Sequence, residues 1–170
     1  EFVAANREAL AANPVMEQSV LDRLKNGNSL EEIQRLVEEE GAEGLYHLGQ
    51  LVGCVKRAHD IDANLSAHVM HENLVSKASS VLALLNVIHV TGIDRNQVEY
   101  VIDCAEEACG DINQRGGGNF AKSAAEIAGL NNASGSDCRA FCAAPAHAMI
   151  EAAALVASGA YHTVVVTAGG

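Results

Sequence analysis

The sequence predicts an α/β protein: strands of a parallel sheet joined by crossover helices over residues 63–170, preceded by a helical layer over residues 1–62. Three observations carry that expectation. From about residue 72, helical segments alternate with short β-branched apolar runs, as in βαβ units. Before that point the chain breaks into short helical stretches with cap and stop residues. With 170 residues, 49% of them hydrophobic, it can bury roughly 70% of its unfolded surface in one core.

In the first layer, "NPVMEQSVLDRLKNG" offers Asn13 as cap, Pro14 at the first helical position and Gly27 as stop. In "SLEEIQRLVEEEG", Ser29 and Glu32 form a capping box, Ile33, Leu36 and Val37 give the helical stripe, and Gly41 ends it. "LYHLGQLVGCVKRAHD" continues the apolar spacing through Leu45, Leu48, Leu51, Val52 and Val55, so it is expected to be helical too.

The second part opens on a long helix, "ENLVSKASSVLALLNVIHVTG", stopped at Gly92, and then the apolar run "VEYVIDC" at 98–104. A helix from Asn119 to about Ala128 leads to a short strand at 133–137. A helix from Phe141 or Cys142 to Ser158, stopped by Gly159, leads to the run at 162–168. The three strands are expected to be parallel neighbours, because each pair is joined by a helical crossover. Only Glu151 is charged among residues 141–170, which predicts a central place for the last helix and strand. The sequence stops at "AGG", on a strand whose neighbour is missing, so a fragment of a larger protein is expected.

Charge and cysteine usage narrow the function. A net charge of −11 argues against binding nucleic acid or an anionic membrane surface. The start, "EFVAANREAL", has neither a basic n-region nor an apolar h-region, and no uninterrupted apolar run reaches 18 residues, so a cytoplasmic protein is expected. Its five cysteines then read as reduced thiols.

Of these cysteines Cys142 stands out. In "GSDCRAFCAAPAHAM" it falls where a strand turns into a helix, a place where backbone N–H groups and the helix dipole favour thiolate. Ala143 and Ala144 leave room above the sulfur, and Pro145 is tolerated in a first turn. The competing reading is a small apolar core residue. Cys104 and Cys109, like Cys138 and Cys142, lack the two-residue gap of zinc knuckles. His68 and His71, with Glu72 behind them, share a helical face but have no third ligand. "QRGGGN" at 114–119 is a Gly-rich turn without the Lys-Ser/Thr ending of a P-loop. Glu106 and Glu107 follow the strand at 98–104, where parallel sheets place functional loops. No cofactor or metal is assigned.

Taken together, "ENLVSKASSVLALLNVIHVTGIDRNQVEYVIDC", the helix after "GGGNF", "SDCRAFCAAP" and "LVASGAYHTVVVTAGG" resemble the first half of the thiolase-like fold, as in ketoacyl-acyl-carrier-protein synthases. In that family the cysteine at this position takes an acyl group as a thioester, which implies that role for Cys142. The stretches "ANPVMEQSVLDRL", "HDIDANLSAHVMHENLVSKAS", "EEACGDINQRGGGNFAKS" and "FCAAPAHAMIEAA" are in turn similar to the beta subunit of component C of glycine, sarcosine and betaine reductase complexes. This second resemblance runs through essentially the whole chain. It implies an acyl-handling subunit with two partners, the component C alpha subunit and selenoprotein A, and an acetyl group that leaves with phosphate as acetyl phosphate. A homo-oligomer is expected as well, through an apolar face near helix 141–158.

Two departures shape what the resemblance implies. Ala144 and Pro145 stand where synthases have Gly two residues after the nucleophile. The His and Asn, or paired His, that assist the cysteine belong to the second half of that fold. His147, one helical turn below Cys142, points along the helix. Two functions stay open: acetyl transfer through a Cys142 thioester, its oxyanion held partly by the Cys142 N–H, or a non-catalytic assembly subunit that docks an acyl-transferring partner.

Overall fold

A computed structural model describes residue 18 and residues 28–104 and 119–169. The helix expected over 13–27 therefore lies outside the described residues, Gln18 excepted, which is helical. The chain divides into two compact units, with the described residues through Glu72 in the first and those from Asn73 in the second.

In the first unit, helix α1 (Leu30–Glu39) begins at Ser29, whose hydroxyl accepts the Glu32 N–H at 3.2 Å. Only this half of the expected capping box forms, because Glu32 instead takes two hydrogen bonds from Arg35, at 2.8 and 3.0 Å. Gly41, at φ +67°, closes the helix as expected.

The next stretch is not helical. Strand β1 (Glu43–His47) pairs antiparallel with β2 (Gln50–Val55), with a register irregularity between Leu45 and Tyr46. The expected helical layer is thus a helix against a hairpin. Leu48 and Gly49 form the two-residue turn, both in the left-handed region at φ +49° and +78°, the geometry that matches strand twist. The i, i+3 apolar spacing suited a helix, but three glycines between 44 and 53 weaken a helix, and the turn-forming one decides the outcome. Ile33, Leu36, Ala42 and Cys54 make this unit's core, with Val37 and Leu51 packed against it.

Helix α2 (Ala67–Thr91) begins in the first unit and continues through the second, where Gly92 at φ +66° stops it. Then come β3 (Tyr100–Asp103), α3 (Phe120–Ile127), β4 (Ser134–Asp137), a 3-10 turn (Phe141–Ala143), α4 (Ala144–Ala157) and β5 (Val164–Thr167). The three strands form one parallel sheet in the order β4-β3-β5, as the crossovers required. Tyr100 sits opposite both Ser134 and Val164, and Asp103 opposite both Asp137 and Thr167.

One expectation about this sheet is corrected. The central strand is β3, whose Val101 and Ile102 are fully buried, whereas β5 lies at an edge with Val164, Val165 and Val166 half-buried. Helix α4 buries only Ala144 and Ala148 and exposes Met149, Ile150 and Val156. An uncharged composition marks a surface that repels water, and among the described residues most of that surface on α4 is uncovered.

By length and composition alone α2 would cross a membrane. In the described residues it also buries Val81, Leu84, Leu85 and Ile88, and it is tied to the sheet by the Ser80 hydroxyl, which donates to Asp103 at 2.5 Å.

Candidate active site

The C-terminal ends of the three parallel strands converge on one polar patch. Each strand ends in a hydrogen-bonding side chain: Asp103 on β3, Asp137 on β4 and Thr167 on β5. Buried carboxylates are costly unless each oxygen finds a donor, and here the donors are identifiable.

Asp137 faces the start of α3, where its two oxygens accept the N–H groups of Phe120 and Ala121, both at 2.9 Å. A carboxylate at a helix N-terminus satisfies donors that have no partner within the helix and complements the dipole. Asn119 adds the conventional cap, its Oδ1 accepting Lys122 N–H at 2.7 Å and its amide donating to the Gly135 carbonyl at 2.8 Å. Gly135 makes that approach possible. A Cβ there would stand 2.7 Å from the Val101 carbonyl oxygen and 3.0 Å from the Ala121 Cβ.

Asp103 is fully buried. Ser80 of α2 donates to one oxygen, and Arg139 Nη1 donates to the other at 2.9 Å. Arg139 Nη2 lies 3.3 Å from Asp137, and the guanidinium sits over the buried Phe120 ring at 5.4 Å, with Lys77 Nζ over the same ring at 4.8 Å. On the β5 side, Thr167 donates to the Ser80 carbonyl at 3.2 Å and Cys104 Sγ to the Thr167 carbonyl at 3.1 Å. Gly169 lets this end of the chain meet α2: a Cβ there would overlap the Ser76 carbonyl oxygen at 1.9 Å.

The cysteines separate by environment. Cys54 and Cys104 are buried, Cys138 is half-buried with its thiol 3.7 Å from the Ala144 carbonyl, and Cys142 is exposed. Burial first, and then the charge of neighbouring Asp103, pushes the Cys104 thiol up, which keeps it neutral and unreactive. Cys142 lies in the 3-10 turn, two residues ahead of α4, rather than opening the α-helix itself. Pro145 falls in the helix's first turn, and neither the 3-10 turn nor α4 has a side-chain cap. The residue before the cysteine, Phe141, is 78% exposed and held at φ +48°. For a bulky residue that conformation costs on the order of 1–3 kcal/mol and persists only where the surroundings enforce it.

The remaining sequence-predicted residues fall elsewhere. His68 lies 3.2 Å from Glu72 and 3.8 Å from Glu43, and among the described residues no three His, Cys, Asp or Glu side chains are grouped to hold a metal. His147 is exposed on α4. Glu106, Glu107, Cys109 and most of the Gly-rich turn lie outside the described residues. Sequence reasoning missed Asp103, Asp137 and Arg139. Their signal was present: a charge ending an apolar strand run in "YVID", and "SDCR" directly before the cysteine loop.

No family model matches the chain. Over all 170 residues it is 55% identical to the glycine/sarcosine/betaine reductase complex component C subunit beta of Peptoclostridium acidaminophilum, and it spans about a third, 33%, of that protein's length. The identity supports the subunit resemblance read from the sequence.

Proposed function

We propose, from that whole-length similarity, that the chain is part of a subunit of a glycine/sarcosine/betaine reductase complex, and that Cys142 carries an acetyl group there as a thioester. The observation that carries the second half is exposure: among the described cysteines, Cys142 is the one at the surface, on a turn at the C-terminal side of the parallel sheet. In this reading the Cys142 thiolate attacks the carbonyl carbon of an acetyl group borne by selenoprotein A, and the selenolate departs. A phosphate oxygen then attacks the thioester, giving acetyl phosphate and regenerating the thiolate. The dipole of α4, which starts two residues beyond Cys142, favours the negative charge that develops on the carbonyl oxygen during the transfer. The partners are selenoprotein A and the component C alpha subunit.

The test is chemical. Mass spectrometry of the working full-length complex is expected to find an added acetyl group on the peptide containing "AFCAAPAHAM", and Cys142→Ser is expected to abolish acetyl phosphate formation with the fold retained. Label confined to the partner subunit, with full turnover by the variant, would sink the thioester assignment.

A second reading has its own observation. Met149, Ile150 and Val156 expose apolar surface on α4, which suits a subunit that docks an acyl-transferring partner without reacting itself. Under that reading Cys142 would stay unlabelled while Met149→Asp weakened assembly.

A further inference from the structure

We infer that Arg139 is a positioning residue for Cys142: its guanidinium, held between Asp103 and Asp137, fixes the left-handed turn at Phe141 that presents the thiol. The inference rests on the reading of Cys142 as the acyl-carrying nucleophile.

Three features lead to it. First, the arginine lies three residues before the cysteine and joins two strands, reaching Asp103 of β3 at 2.9 Å and Asp137 of β4 at 3.3 Å. Each carboxylate is itself immobilised, Asp103 by Ser80 and Asp137 by the first amides of α3. The backbone continues the restraint, with Cys138 N–H donating to the Asp103 carbonyl at 2.8 Å and Ala143 N–H to the Ala140 carbonyl at 3.1 Å. Chain entry and chain exit are therefore both pinned around Ala140 and Phe141.

Second, the turn needs enforcement. An exposed phenylalanine at φ +48° gains nothing from burial that would hold it there. The restraint has to come from the neighbouring segment, and Arg139 supplies its strongest bonds.

Third, fold stability is a poor reason for this cluster. A buried ion pair is often replaceable by apolar residues at no net cost, because desolvation offsets the attraction. What a planar guanidinium adds is orientation, since its fork bridges two acceptors in a fixed plane, which a lysine ammonium does not reproduce.

The experiment uses the assembled full-length complex carrying Arg139→Lys, and separately the double variant Asp103→Asn with Arg139→Gln, which leaves no orphaned buried charge. Three quantities are read in each: the rate of Cys142 alkylation by iodoacetamide as a function of pH, acetyl phosphate formation, and the urea midpoint. With the midpoint of Arg139→Lys near wild type, acetyl phosphate formation is expected to fall about tenfold or more, as for a misplaced reacting group. Cys142 alkylation is expected to change about threefold across that pH range, as the turn that presents the thiol loosens. Wild-type alkylation profiles and turnover in both variants would overturn the inference. So would turnover that falls only in proportion to the folded fraction, with the profile unmoved. Failure of the underlying reading is separate: full activity of Cys142→Ser removes the nucleophile assignment, while the alkylation profile still reports whether Arg139 holds the turn.

Discussion

Two arginines in this chain are each bracketed by carboxylates, and they stand in different solvents. Arg35 on α1 reaches Glu32 and Glu40, both at 2.8 Å, and all three side chains are more than 40% exposed. Arg139 reaches Asp103 and Asp137, whose side chains are 0% and 11% exposed. Hydrogen bonds from Arg35 hold Glu32 and Glu40 below the usual carboxylate range, and those carboxylates push Arg35 further up. The chemistry of the two clusters is alike, but water stands ready to replace any partner lost from the first and cannot reach Asp103 in the second. A surface network of this kind is nearly dispensable; a buried one cannot lose a single member without leaving a charge in an apolar setting.

The contrast can be broken most directly at Arg139. Arg139→Met strands Asp103 and is expected to destabilise the fold by about 3–5 kcal/mol, with much of the loss recovered when Asp103→Asn is added. Urea unfolding of the two variants measures it, and a cost no larger than that of Arg35→Met would dissolve the distinction. A smaller effect of opposite sign is expected one turn of α2 away. Ser76 is fully buried and among the described residues its hydroxyl has no hydrogen-bond partner, so Ser76→Ala should raise stability by about 1 kcal/mol. The same unfolding assay reads it, and a loss would mean that the hydroxyl has a partner.

The smallest effect is expected at the surface cluster. Arg35→Met should lower the thermal midpoint slightly at physiological salt, by less than either change above. Its trace is in the pH dependence. Because the folded pKa values of Glu32 and Glu40 lie below the ordinary 4.5, what the cluster contributes is present above about pH 4.5 and is lost as pH falls through the folded values. Removing Arg35 should flatten that acid limb, which a midpoint-versus-pH series would detect.

Much of the parallel sheet was legible because its signals are local. Valine and isoleucine runs at 98–104 and 162–168, each next to a helix with its own stop glycine, place strands without knowledge of their partners. Gly92 and Gly159 stop their helices where the sequence predicts, both with positive φ. The hairpin was misread because Leu45, Leu48 and Leu51 satisfy helical spacing as well as they satisfy two strands, and the deciding feature was a two-residue turn with leucine at its first position. Leucine carries no preference for the left-handed region, so nothing in composition announces it.

The site was legible only in part for a different reason. Cys142 could be singled out from its own neighbours. The pairing of Arg139 with Asp103, and of Asp137 with the amides of Phe120 and Ala121, joins segments far apart along the chain. Sequence shows such charges but not which ones meet. The order β4-β3-β5 was hidden likewise, since apolar content does not say which of three similar strands lies in the middle.

That strand order also sets a timetable for folding. The β1–β2 hairpin closes a two-residue loop, an event of about 1–10 μs, whereas β3 pairs only with strands that follow it by at least one helix. Contacts between sequence-distant segments must be reached against chain entropy before they yield any stabilisation, which slows them by orders of magnitude. The guanidinium of Arg139 finds Asp103 only once β4 has docked on β3. The cysteine turn therefore matures among the last parts of its unit, after the sheet that gives it shape.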